Sequence, residues 1–105
     1  MLSTLLAAAA LSASPAIARA DTLNEAYWNC MFATARKVRE QQTPGDRVPT
    51  MLDNACKAER VALRDAFVAV QLEHGMSIDD AVASWTDLDA RGRNRIERTF
   101  LLPPN

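Results

Sequence analysis

From Leu23 to Phe100 the apolar residues recur every three or four positions, and no stretch keeps the two-residue alternation of a half-buried strand. A chain with that rhythm packs helix on helix. Three segments carry it. In residues 22–41, Leu23, Tyr27, Cys30, Met31, Thr34 and Val38 share one face, opposite Glu25, Asn29, Arg36 and Glu40. The run Thr43-Pro44-Gly45-Asp46 then ends the pattern with turn-forming residues.

The second segment spans residues 51–74. Thr50 and Asp53 have the spacing of a capping box, and Gly75 suits the left-handed position after a helix end. Leu52, Cys56, Leu63, Phe67 and Val70 form its main face, beside a ridge of Ala55, Ala58, Ala62, Ala66 and Ala69. The third segment, residues 78–101, opens on Ser77 and Asp80, a second capping signal, and Pro103-Pro104 stops it. Ile78, Val82, Trp85, Gly92, Ile96 and Phe100 stay in phase along it, with Ala81 and Leu88 on the flank. The stripe runs unbroken through Thr86 and Gly92, which predicts one long helix with the bare backbone of Gly92 against a neighbour. The expected fold is all-α: a small three-helix bundle, built from an antiparallel helix pair and a long third helix over the alanine ridge.

Cys30 and Cys56 are the only cysteines, and each lies on the apolar face of its helix. One intramolecular disulfide is expected, pinning the first helix to the second. Closing such a loop contributes on the order of 3 kcal/mol, a large part of the ~5 kcal/mol expected of so small a domain. Neither cysteine belongs to a Cys-x-x-Cys motif, and no haem-attachment motif occurs.

The first twenty residues read as a secretory signal peptide. An apolar run from Leu5 to Leu11 is followed by Ser14, Pro15 and two overlapping Ala-x-Ala sites, Ala16-Ile17-Ala18 and Ala18-Arg19-Ala20. The segment before the run carries no Lys or Arg. Cleavage after Ala20 leaves a single domain of residues 21–105 beginning at Asp21, exported to the periplasm or secreted, where a disulfide is stable. The run is too short to span a bilayer, and no later segment is long and apolar enough to do so. Beyond the leader stand eleven basic and thirteen acidic side chains, a balance that argues against general nucleic-acid binding.

Few residues carry chemistry. Glu59 falls on the apolar face one turn from Cys56, and with Cys30 opposite Cys56 it should meet Tyr27 as a buried polar pair. His74, the only histidine, falls at a helix C-terminus without metal-ligand spacing around it, so no metal and no cofactor are expected. Arg91, Arg95 and Arg98 make a basic stripe. Trp28 and Phe32 on the first helix, and Val61, Val68 and Leu72 on the back of the second, exceed what one seam needs. They suggest a surface for a protein partner or a homodimer. The expected function is binding rather than catalysis, as in an envelope inhibitor, a chaperone-like protein or an accessory subunit. Two alternatives remain: a redox or acid–base catalyst using Cys30 and Cys56 or Glu59, and a membrane-surface protein using Arg91, Arg95 and Arg98.

Overall fold

The computed structural model describes residues 14–101, and the described residues are helical with no strand. Residues 1–13 of the expected leader, and the expected stop at Pro103-Pro104, lie outside them. Among the described residues four helices are present instead of three: α1 (Pro15–Glu40), α2 (Val48–Ala55), α3 (Lys57–Glu73) and α4 (Ile78–Ile96), the last continued by a π-helical turn, Glu97–Leu101.

Helix α1 begins well before residue 22. Ser14 caps it, its hydroxyl accepting from the Ile17 amide at 3.1 Å, and Pro15 takes the first position, where its missing N–H costs nothing. The helix ends in a Schellman turn. The Thr43 amide donates to the Val38 carbonyl and the Gln42 amide to Arg39, with Gln42 at φ 51°. Helix α3 ends the same way, from Met76 to Gln71 and from Gly75 to Leu72, and there the left-handed residue is Gly75 at φ 88°.

The second helix of the sequence reading divides at Cys56, whose φ of −118° and ψ of 28° lie outside the helical range. Helix α2 starts at Val48 with Pro49 in its first turn, so the Thr50–Asp53 capping box is not used. Helix α4 is capped as its sequence requires: Ser77 Oγ accepts from the Asp80 amide at 3.2 Å. It is unbroken through Thr86 and Gly92.

The core gathers Tyr27, Met31, Ala35 and Val38 from α1, Val48 and Leu52 from α2, Leu63 from α3, and Trp85 and Ile96 from α4, with Cys56 at the joint. The broadest helix contact joins α1 to α3. The first turns of α1, not the last helix, lie along the alanine ridge, where Ala16 and Arg19 share a groove with Ala58, Ala62, Ala66 and Ala69. The buried line of α4 is Ala81, Trp85, Asp89 and Ile96, while Ile78 and Val82, expected inside, are 60% and 43% exposed. The Cys30–Cys56 disulfide joins the middle of α1 to the α2–α3 joint, with the Cα atoms 6.0 Å apart.

Candidate functional site

Two features stand apart from ordinary packing: a polar network that runs from buried Tyr27 and Asp89 out to the surface at Asp53, and an apolar face outside it. The network begins at Tyr27, 1% exposed, whose hydroxyl donates to Asp89 Oδ1 at 2.6 Å. Asp89 Oδ2 lies 3.9 Å from the Arg60 guanidinium, which also faces Asp53 Oδ1 at 3.5 Å. Arg93 completes it, at 2.5 Å from Asp53 Oδ1, and donates to the Pro49 carbonyl at 3.4 Å. Asp53 Oδ1 is fully enclosed, so these two guanidinium groups supply its counter-charge. Each of the four described helices contributes: Tyr27 from α1, Asp53 from α2, Arg60 from α3, Asp89 and Arg93 from α4.

Burial pushes the Tyr27 hydroxyl well above the ordinary tyrosine range, and the bonded Asp89 carboxylate pushes it further, against the pull of Arg93 and Arg60. A phenol held neutral and already donating is a tie rather than a base. Tyr27 therefore pairs with Asp89, not with Glu59. The break at Cys56 explains the correction. It makes Glu59 a first-turn residue of α3, half-buried, where a carboxylate meets the positive end of the helix dipole.

The sequence alone does not mark Asp53, Arg60, Asp89 and Arg93 as a site. One signal was available: Asp89 stands four residues after Trp85 and seven before Ile96, in phase with the buried line of α4. An acid at such a position has to be paired.

The outer face lies on α3 and α4. Val61 and Leu72 are 36% and 42% exposed, and Val68 between them is half-buried. With Arg64, Asp65 and Ala69, the residues Val68, Leu72, Ile78 and Val82 line a groove of about 390 Å³. The other two residues of the expected surface part company. Phe32 is 37% exposed. Trp28 instead packs against the core, with its ring over Gly92, its centroid 4.6 Å from that of Tyr27, and Nε1 donating to Asn24 at 2.9 Å.

The remaining candidates are ordinary in their surroundings. Cys56 is 1% exposed. His74 Nδ1 lies 2.8 Å from the Val70 carbonyl at the end of α3, and no group of side chains able to hold a metal occurs among the described residues. Arg91 is paired to Asp87 at 2.8 Å, while Arg95 and Arg98 are exposed. No described helix is long and apolar enough to cross a membrane. Comparison of the chain with family models, with curated proteins and with solved structures gave no match in any of the three.

Proposed function

We propose that this chain is an exported protein, cut after Ala20, whose mature part works by contact with another protein surface through the apolar outer face of α3 and α4. The observation that carries this reading is the grouping of Val61, Leu72, Ile78 and Val82, each more than a third exposed, on two adjacent helices. Large apolar side chains gathered in one patch are costly to leave in water and mark a surface that is covered in use. Leu72, Ile78 and Val82 also line the groove with Val68 and Ala69, next to the charged Arg64 and Asp65, the mix of apolar centre and polar neighbours that a protein contact uses. Contact of this kind fits an inhibitor, a chaperone-like protein or an accessory subunit of the cell envelope.

The test is cross-linking of the exported protein in its own compartment, with Val82→Asp beside the wild type. Val82 is exposed, so the variant should keep its helical circular dichroism while the cross-linked species disappear. Cross-linked species that persist unchanged in both Val82→Asp and Leu72→Asp would remove the face from consideration.

A further inference from the structure

The division between α2 and α3 has no local cause in the sequence. Between Thr50 and His74 there is neither Gly nor Pro, and the apolar rhythm passes through Cys56 without a change of phase. A helix start written into a sequence commonly carries a capping side chain or, as at Pro49 in α2, a proline in the first turn, and α3 has neither. Here Cys56 stands at the N-cap of α3 and the C-cap of α2, and no side chain caps either α2 or α3 at its start. The first backbone bond entering α3 runs from the Arg60 amide to the Cys56 carbonyl at 2.9 Å. The amides of Lys57, Ala58 and Glu59, which a continuous helix would bond to Asp53, Asn54 and Ala55, form the open first turn. What is special at this position is the bond from Cys56 to Cys30, in a pocket where Thr34 Oγ1 lies 3.6 Å from Cys56 Sγ.

We propose that the disulfide imposes the break, so that the fold contains a redox-sensitive joint. With the bond formed, Cys56 is held against α1 and α2 is turned so that Val48 and Leu52 reach the core and Asp53 reaches Arg93. With the bond reduced, residues 48–73 join into one helix. Asp53 then moves away from Arg93, and the polar network loses its α2 member. The exchange is balanced: a dithiol co-reactant gives up two electrons and two protons and becomes a disulfide, and Cys30 and Cys56 become two thiols. In an oxidising compartment the reverse exchange, with a disulfide donor, sets the joint during maturation.

The experiment compares backbone amide exchange and Cα chemical shifts of the oxidised, the dithiol-reduced and the Cys30→Ala/Cys56→Ala full chain at low temperature. Reduction should slow exchange at residues 57–59 on the order of tenfold as their amides enter helical bonds, and should move the residue 56 Cα shift to a helical value. The alanine pair should reproduce both changes without reductant. A reduced chain that melts earlier but keeps the non-helical shift at residue 56 overturns the proposal, because the bond is then only a staple. Loss of fold in both the reduced chain and the alanine pair also overturns it, since a folded reduced state is what the proposal asserts.

Discussion

Tyr27 is the only tyrosine of the chain, and it donates to a carboxylate that is 7% exposed. Its neutral form is what the fold holds, so its contribution to stability has a definite sign with pH. The folded value lies above the ordinary 10. Below pH 10 the hydroxyl is protonated in both folded and unfolded chains, and the contribution is complete. As pH rises past 10, the unfolded chain loses its proton first, and stability falls. In an alkaline titration the tyrosinate absorbance should rise only together with loss of the helical signal. A tyrosinate band growing at about pH 10 with the helices intact would show an open hydroxyl. Tyr27→Phe leaves Asp89 Oδ1 without its donor and should cost roughly 1–3 kcal/mol in denaturant unfolding.

Between elements, α1 and α4 meet where the Trp28 ring covers Gly92. A Cβ placed on Gly92 would lie closer to three atoms of that ring than real contacts allow. The ring is held by Tyr27 and Asn24 and cannot simply swing away. Gly92→Ala gains ~1 kcal/mol of helix propensity but incurs overpacking of roughly 1–3 kcal/mol, so the variant should melt at a lower temperature. A variant that melts higher would mean that the contact is loose. The helices themselves were legible wherever the signal was local: Ser77 as a cap, Gly75 after α3, the turn residues near Pro44, the unbroken stripe through Gly92. Three things were not. Ser14-Pro15 is a good helix start, but it stands within the segment whose composition is that of a leader. Ile78 and Val82 are apolar, yet the bulk of Trp85 and the pairing of Asp89 decide which side of α4 turns inward. The division at Cys56 leaves no mark in composition, because a cross-link to another helix defines it.

At the scale of the whole molecule, the polar network is the part that no local reading reaches. Tyr27 and Asp89 are 62 residues apart. Asp53 reads as a helix-start residue, and Arg60 and Arg93 as members of a solvated face, until α2, α3 and α4 bring them together. The cysteines, by contrast, were legible as a pair, since both stand on apolar faces and no third competes. The unbroken course of α1 has a consequence for time rather than for shape. Both Ala-x-Ala sites lie inside it. A peptidase reads its substrate as an extended strand, and a helical segment reaches its groove only in the fraction of molecules that have opened. Under the export reading, cutting therefore has to run ahead of folding. Exported material should have the mass of a chain starting at Asp21, and an intact Met1 there would end that reading. Precursor refolded and oxidised beforehand should stay uncut when given signal peptidase, whereas nascent chain is cut. On that reading the helix that begins at Pro15 acts as a deadline, and a molecule that folded too early would keep its leader.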